Sequence, residues 1–544
     1  MPEPPGKPTS KLALPVSPAA TTDRHRSLVP AIVLCTLAWA LTRYVFFTGL
    51  AGSDDIHYMR FAAMWDRAPA NPWEARLLGN ALTWLSMRLF GRGELAAALP
   101  SLMASFTILA CAMYAARRYA GGRAVWWAGL LAAVLPIDVY LATTVSPFIV
   151  TTALVSVGTL AFLNASQSRV SRIIAAAALA LGVVTHLSGV YYVAALAAAG
   201  LWLDRRRYAG VIAMTVVAGL IVIAIDMGVF HFAYDDAFGR FRTCLVVAGN
   251  PLCVMPTTPD GSINATFLTR PVVSLLFSKA FGVSLSVTLL VVGLAYRRLP
   301  HAVRLLWITT AILWLWVSYG SLVPWTYRPF WRMSRFLHPL TLAMTVMFGA
   351  SIAARPALRA YATDFLRVRV MGPLVVMVCL LNLLASGSWG QNVRISRELL
   401  DYARAHPGTR FLTDYHTLNE MHILNGVRSL PHVATSGDAA RFRILDPGAP
   451  FAWPIDLPDY DEILINPLNL ERAPAFAALV ESSGGELRFE TTPAYRPICR
   501  LLRPLRRFAW AVRKPPARVV AFSFQAKLDA ITASDSPTVH AATP

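Results

Sequence analysis

Charged side chains are scarce in this chain: they make up 15% of its 544 residues, whereas a soluble domain carries about 25%. Lysine is nearly missing from the middle, where Lys279 is the only one between Lys11 and Lys514. With 56% hydrophobic residues and a mean hydropathy of +0.49, this deficit excludes an ordinary soluble domain. Several apolar runs reach the ~20 residues that cross a bilayer as a helix. The composition therefore predicts a polytopic α-helical membrane protein.

Acidic residues are also few, which leaves a net charge of +20. The basic residues are nearly all arginine, and they lie in short segments between apolar runs. Cytoplasmic loops that face anionic lipid have this pattern, so membrane lipids rather than nucleic acid are the expected partners. The sequence also lacks a Cys/His spacing typical of a metal site and an internal repeat typical of transporters. Neither a metal nor another cofactor is expected.

The alternation of apolar runs and arginine clusters predicts about eleven transmembrane helices, with the N-terminus in the cytoplasm. We place this chain in a bacterial inner membrane, with its large outer segments in the periplasm. The predicted spans are 28–50, 94–116, 124–139, 144–163, 173–185, 188–203, 208–230, 272–296, 305–325, 336–354 and 370–386.

The regions outside the spans differ in composition. Residues 1–27 are predicted to be disordered and cytoplasmic, and 28–388 form the transmembrane module with outer loops 51–92 and 231–270. Short β-like segments at 410–414, 461–466 and 486–490, with a helix at 474–481, predict a periplasmic α/β domain over 389–505. A basic and then disordered tail is expected over 506–544.

Acidic and basic side chains gather just after the first span, on its outer side. Asp54 and Asp55 are followed by His57, Tyr58 and Arg76. This grouping favours a chemical site at the outer face of the membrane over a transport path through it. The alternative is structural, since two carboxylates at a helix start also interact favourably with the helix dipole.

The order of several short motifs resembles the GT-C glycosyltransferases that use polyprenyl-phosphate sugars, such as the protein O-mannosyltransferases and the lipid A aminoarabinose transferases. The segments that carry the resemblance are GSDDIHY at 52–58, EARLLG at 74–79, FGRGELAAALP at 90–100, YAARRYAGGR at 114–123, Leu135-Pro136 and SRFLHP at 334–339.

This resemblance implies an inverting transfer from a polyprenyl-phosphate-linked sugar donor to a lipid, glycan or protein acceptor, without an obligatory metal. The resemblance matches Asp54 to the general base, with Asp55 beside it in the catalytic pair. Arg335 corresponds to an arginine expected to bind the donor phosphate, and Arg328 and Arg332 lie in the same short loop.

Three further residues have two possible roles each. Lys279 either binds the phosphate or extends its amine to the membrane interface. His186 either binds phosphate, where aminoarabinose transferases carry lysine, or is an interior histidine. Many relatives carry an acid after a proline between the third and fourth spans, whereas this chain has Ser146-Pro147-Phe148. Either Asp138 substitutes for that acid, or the first-loop acids act alone.

Cys244 and Cys253 lie in the second outer loop, where an oxidising compartment would allow them to form a disulfide. Two free thiols are the alternative. At the level of function, the alternatives to a glycosyltransferase are a transporter or flippase for a lipid-linked or other amphiphilic substrate, and a non-catalytic relative in envelope assembly.

Overall fold

The computed structural model describes the chain over 28–51, 54–65, 73–242, 283–294, 299–320, 334–353, 372–385, 391–426, 430–435, 461–470, 486–491 and 517–521, with the single residues 69, 278, 280, 281 and 296. Several predicted features lie outside these residues: the N-terminal segment 1–27, the helix at 474–481, and the side chains of Cys244, Cys253, Lys279, Arg328 and Arg332.

The first 385 residues are helical wherever they form described elements. The helices are α1 (Leu28–Val45), α2 (Asp54–Ala63), α3 (Leu77–Phe90), α4 (Glu94–Ala120), α5 (Gly122–Val134), α6 (Pro136–Ala142), α7 (Pro147–Leu163), α8 (Arg169–Thr185), α9 (Leu187–Tyr234), α10 (Ser284–Leu294), α11 (His301–Tyr319), the 3-10 helix Ser334–Leu340, α12 (Thr341–Ala353) and α13 (Gly372–Ala385).

Among the described helices, α1, α4, α9 and α11 are each long and apolar enough to cross a membrane. The bent pair α5 and α6 makes five if it is one span. Large apolar side chains such as Val29, Leu37 and Leu41 are exposed on α1, as expected of a surface that faces lipid. The prediction of several membrane-spanning helices is confirmed, and the count of about eleven stays a prediction.

Small residues let the helices of the bundle pack closely. A β-carbon added at Gly158 of α7 would meet Leu179 of α8 at 2.7 Å, and one at Gly349 of α12 would meet the carbonyl oxygen of Ala124 at 2.6 Å. Gly121 has a φ of +100°, a conformation that glycine adopts without strain, and it turns the chain directly from α4 into α5.

Two predicted spans follow each other closely in the structure. The sequence predicted separate helices at 188–203 and 208–230, and α9 (Leu187–Tyr234) consists of two helices that meet at Asp204, where the backbone is not helical. Asp204 stays at the break because its carboxylate accepts the backbone N–H of Arg207 at 3.1 Å, as an N-cap does. The predicted division between the two helices therefore lies at this kink. A second bend, of 56°, separates α5 from α6 at Leu135, immediately before Pro136.

The region after residue 390 contains a five-stranded sheet with the strand order β2-β1-β3-β5-β4, in which β2, β1 and β3 are parallel and β5 is antiparallel to its neighbours. Its elements are α14 (Gln391–Ala405), β1 (Phe411–Thr413), α15 (Tyr415–Leu424), β2 (Val433–Thr435), β3 (Glu462–Ile465), α16 (Pro467–Leu470), β4 (Glu486–Thr491) and β5 (Ala517–Ala521).

Three of these strands, β1, β3 and β4, lie where the sequence predicted strands. β5 is different, because it lies inside the segment 506–544 that was predicted to be a basic and disordered tail. It pairs with both β3 and β4. The sheet therefore extends beyond the predicted domain boundary at residue 505.

The C-terminal region packs on the helices that follow the first span. Val393 of α14 and Ile423 of α15 share a buried apolar cluster with Ile56, Tyr58 and Met59 of α2. This contact covers the helix that begins with Asp54.

Candidate functional site

The carboxylate of Asp54 forms an ion pair with Arg335, with 2.7 Å between Oδ2 and Nη1. Asp54 is the first residue of α2, where a carboxylate interacts favourably with the helix dipole. Arg335 lies in the 3-10 helix Ser334–Leu340, 281 residues further along the chain. The structure thus brings together the base and the phosphate-binding residue that the resemblance implied. Both side chains keep some exposure to solvent, 19% for Asp54 and 31% for Arg335.

Asp55 has a different environment from its neighbour. It is buried, and its carboxylate accepts a hydrogen bond from the backbone N–H of Ala51. This bond connects the first turn of α2 to the segment that leaves α1. Asp55 is therefore placed to fix the start of α2, while Asp54 extends from it toward Arg335.

The next residues of α2 contact the segment before α3. The ring of His57 stacks on Trp73 with 5.0 Å between centroids, and Arg76 donates a hydrogen bond to the hydroxyl of Tyr58. Burial lowers the pKa of His57, an effect that the nearby carboxylates of Glu74 and Asp54 oppose. A neutral His57 beside a carboxylate is the expected state at neutral pH.

Phe148 lies beneath two of the arginines. The guanidinium carbon of Arg335 is 5.0 Å from the centroid of its ring, and that of Arg76 is 5.5 Å away. This contact belongs to the Ser146-Pro147-Phe148 turn, the place where relatives carry an acid. An aromatic ring attracts guanidinium groups without neutralising their charge. The departure from the family pattern therefore leaves more positive charge at this position.

His186 is buried against the same ring, with 3.8 Å between the centroids of His186 and Phe148. Its Nδ1 accepts the backbone N–H of Ser188 at 3.0 Å and contacts the Ser188 hydroxyl at 2.9 Å. In a neutral ring the proton is then on Nε2, which becomes a donor. Nε2 is buried and has no hydrogen-bond partner among the described residues. An unused buried donor costs about 1–3 kcal/mol, so it points to a ligand.

Arg240 is the member of this group that the sequence analysis missed. One of its nitrogens pairs with Asp226 at 3.0 Å, and another donates to the carbonyl of Val184, two residues before His186. The charges of Arg76, Arg240 and Arg335 all act on His186. The signal for Arg240 in the sequence is weak: it is an arginine shortly after Asp235 and Asp236 in a predicted outer segment. We call Arg76, His186, Arg240 and Arg335 the cation cluster.

Asp138 lies in a buried network that also holds the 3-10 helix. Its carboxylate pairs with Arg43, accepts the hydroxyl of Ser105 at 2.6 Å and lies 3.1 Å from Nε2 of His338. Nδ1 of His338 is 2.7 Å from the hydroxyl of Thr152. These partners occupy both carboxylate oxygens, so Asp138 supports the segment that carries Arg335. Within the described residues, no group of three acidic, histidine or cysteine side chains could hold a metal ion.

Comparison with known proteins finds one matching family and several similar solved structures. The family described as dolichyl-phosphate-mannose-protein mannosyltransferase matches residues 72–229, which include Arg76, Phe148 and His186. No curated protein matches the chain.

Among solved structures, the chain is similar to ArnT from Cupriavidus metallidurans bound to undecaprenyl phosphate, with 14% identity and a TM-score of 0.52 over 92% of this chain and 98% of that one. It is also similar to the Archaeoglobus fulgidus oligosaccharyltransferase in complex with Zn and sulfate, with 12% identity and a TM-score of 0.42 over 86% of this chain and 72% of that one. The likeness to ArnT shows the fold. The resemblance to GT-C glycosyltransferases stated from the motifs is confirmed.

Proposed function

We propose that this chain is a membrane glycosyltransferase that moves a sugar from a polyprenyl-phosphate donor to an acceptor at the periplasmic face of a bacterial inner membrane. The observation that carries the proposal is the contact of Asp54 with Arg335 beside the cation cluster. A carboxylate able to take a proton is thus adjacent to groups able to bind a phosphate. The match to ArnT, which has been crystallised with undecaprenyl phosphate, supports a donor of that class.

The reaction needs both parts of this site. The acceptor hydroxyl loses its proton to the carboxylate of Asp54 as its oxygen attacks the anomeric carbon of the donor sugar. The bond from that carbon to the phosphate oxygen breaks, and the lipid phosphate leaves with the electron pair. Arginine and histidine donors stabilise the negative charge that grows on the leaving phosphate. A single displacement of this kind inverts the anomeric configuration.

The pair between Asp54 and Arg335 is the resting state in this proposal. The guanidinium of Arg335 occupies Oδ2 of Asp54, so that oxygen is not available to the proton of an acceptor hydroxyl. When the donor binds, its phosphate competes for Arg335 and releases Asp54 toward the acceptor. Nε2 of His186 is placed to donate to the same phosphate. The donor would thereby activate the base that its own transfer requires.

The remaining predicted residues take supporting positions around the substrates. His57, Tyr58 and Arg76 would orient the acceptor or the sugar, and Asp138 would act indirectly through His338. Lys279, Arg328 and Arg332 stay candidates for the lipid phosphate. The arrangement of about eleven spans with a periplasmic α/β domain belongs to the same proposal.

Replacement of Asp54 by asparagine tests the mechanism. Asp54→Asn keeps the size of the side chain but removes the proton acceptor, so the transfer rate should fall at least ~100-fold. Donor binding should persist or strengthen, since Arg335 loses its competing carboxylate. Asp55→Asn should reduce the rate less, because the amide oxygen can still accept the Ala51 N–H. The rate of transfer and donor binding are measured on purified protein.

Asp401→Asn is the matched control, since Asp401 is an exposed carboxylate on α14. It should leave both quantities unchanged. An active Asp54→Asn enzyme would contradict the proposed mechanism. Movement of the lipid-linked sugar across vesicles without bond cleavage would instead support the flippase alternative.

A further inference from the structure

Helix α15 of the C-terminal region lies directly against α2, the helix that begins with Asp54. Ile423 is buried in one apolar cluster with Ile56 and Met59. On the same side, Nη1 of Arg60 is 3.5 Å from Oδ1 of Asn419. α15 therefore contacts α2 through both an apolar and a polar side chain.

A second contact fixes the segment that leads into α2. Arg397 of α14 pairs with Glu94 at the start of α4. The other oxygen of Glu94 accepts the backbone N–H of Leu50 at 3.2 Å. Because Leu50 is only four residues before Asp54, α14 and α15 together constrain both sides of the first turn of α2.

Glu420 lies between Asn419 and Ile423, residues of α15 that contact α2. It is 1% exposed, and its Oε2 accepts the hydroxyl of Ser396 at 2.6 Å. Oε1 is buried and makes no hydrogen bond within the described part of the chain. A buried carboxyl without an opposite charge favours its neutral form, because ionisation would lose the solvation that water provides. Burial, together with the charges of Asp414 and Asp55, raises the pKa of Glu420 to about 8, although hydrogen bonding to Ser396 and Asn469 acts in the opposite direction.

We propose that Glu420 is a positioning residue that holds the first turn of α2, and with it Asp54, in place through the contact between α15 and α2. The inference rests on the proposed function, since it concerns the geometry of the same base. While Glu420 is neutral, it adds no negative charge beside the carboxylates of Asp55 and Asp414, which both act on it. When it ionises, a second negative charge acts on Asp55, directly beside Asp54, and the alignment of Asp54 with Arg335 is lost.

Other titratable or charged groups also surround this contact. They are Asp55, His57 and Arg60 on α2, Arg394, Arg397 and Glu398 on α14, and Asp414, His416 and His422 on and before α15. Burial lowers the pKa of both His57 and His422, so these two rings are neutral above pH 6.5. Burial also raises the pKa of the Asp414 carboxyl, and since the pKa of Glu420 is about 8, Glu420 is expected to change its charge between pH 7 and 9.

Two variants of Glu420 test the proposal. Glu420→Gln keeps the shape of the neutral carboxyl and cannot ionise, whereas Glu420→Ala removes the contact. At pH 6.5 we expect Glu420→Ala to lower kcat about 10-fold with donor KM changed less than about 3-fold, because the cation cluster is intact. Glu420→Gln should keep kcat near the wild-type value at that pH. Asp401→Asn, an exposed change on α14, is the control and should match the wild type throughout.

The pH dependence of kcat distinguishes a positioning role of Glu420 from a purely structural one. The ratio of kcat for Glu420→Gln to kcat for the wild type should rise as the pH passes through about 8. A ratio that is flat from pH 6 to 9 would overturn the proposal, as would an unchanged kcat in a folded Glu420→Ala. If Glu420→Ala does not fold, the ratio for Glu420→Gln decides alone.

Thermal unfolding distinguishes a failure of this proposal from a failure of the proposed function. Wild-type protein without any transfer activity would contradict the function but not the contact. The folded-state pKa of Glu420 is raised above the unfolded value of 4.5. Its neutral form therefore contributes stability that is fully present below pH 4.5 and is lost as the pH rises through about 8. The Tm of the wild type relative to Glu420→Gln should fall across that window, and a constant difference would overturn the proposal.

Discussion

The guanidinium of Arg335 interacts with three neighbouring side chains. It pairs with Asp54, lies over the ring of Phe148 and adds its charge to the surroundings of His186. Its Nε is buried without a hydrogen bond among the described residues. A guanidinium held by one carboxylate and one ring has donors left over for a phosphate, which takes two in the usual bidentate arrangement.

Removal of that guanidinium should weaken use of the donor. Arg335→Ala loses a charge-assisted contact to the leaving phosphate, worth about 2–4 kcal/mol in the transition state, so kcat/KM should fall roughly 30- to 1000-fold. Arg242→Ala is the control, because Arg242 pairs with Asp236 in an exposed position. Steady-state rates with a polyprenyl-phosphate sugar measure both. Equal small losses in the two folded variants would remove Arg335 from the site.

For single residues of the site, the sequence indicated the residue types but not all of their contacts. Asp54, His57 and Arg76 lie within 23 positions of each other, so a local motif could find them. The pairing of Asp54 with Arg335 depended on the family resemblance, because no spacing rule connects residues 281 apart. The family resemblance did not point to Arg240 or Glu420. Glu420 in particular lies in a short helix of mixed polarity, where nothing local distinguishes a buried carboxyl from an exposed one.

A buried polar network holds the 3-10 helix that carries Arg335. His338, three residues after Arg335, contacts Asp138 of α6 and Thr152 of α7. Asp138 in turn pairs with Arg43 of α1 and accepts the hydroxyl of Ser105 of α4. The network therefore connects four helices to one short segment. The sequence contained a usable signal for it, since opposite charges within apolar runs are costly unless they pair.

Removal of one of the two charges of the Arg43–Asp138 pair should lower the free energy of unfolding more than removal of both. Arg43→Met leaves the buried carboxylate of Asp138 without its partner, which should lower the free energy of unfolding by about 3–5 kcal/mol. Adding Asp138→Asn removes the stranded charge and should recover a large part of the loss. Thermal unfolding in detergent measures both proteins. A loss under about 1 kcal/mol in Arg43→Met, or a double variant no better than the single one, would contradict this role.

The sequence predicted the positions of the helices better than it predicted their ends. Apolar runs predicted α4, α7 and α8 because a run of that length in lipid must satisfy its backbone internally. The charged residues at 204–207 predicted a division between two helices, and the helical backbone of α9 is interrupted there at the capping residue Asp204. Charge alone does not separate a kink from a turn.

The C-terminal region is connected to the rest of the molecule through the helix that carries the proposed base. This contact joins the two parts of the molecule, although 337 residues separate Asp54 from Gln391. β1 and β3 could be predicted because they are short runs of mainly apolar and β-branched residues, and β4 because charged and apolar residues alternate along it. β5 could not, because it follows a strongly basic segment and its partners β3 and β4 lie upstream of that segment.

The proposed side of the membrane for this region depends on helix α4. Its 27 residues extend about 40 Å, more than the ~30 Å hydrocarbon core, so the helix is long enough for its two ends to face opposite sides. Glu94 at one end pairs with Arg397 of the C-terminal region. Arg117 and Arg118 at the other end are exposed beside Arg123, which favours the cytoplasm for that end.

Two single cysteines should therefore report opposite sides. In a chain with Cys244, Cys253 and Cys499 changed to serine, a membrane-impermeant maleimide added to spheroplasts should label Asp401→Cys but not Arg117→Cys. Lysis should expose both, because each position is on the protein surface, and the three remaining cysteines are buried. Labelling of both in intact spheroplasts would place the two ends of α4 on one side and contradict the spanning assignment. Labelling of Arg117→Cys alone would invert the topology and move Asp54, Arg335 and the cation cluster to the cytoplasmic face.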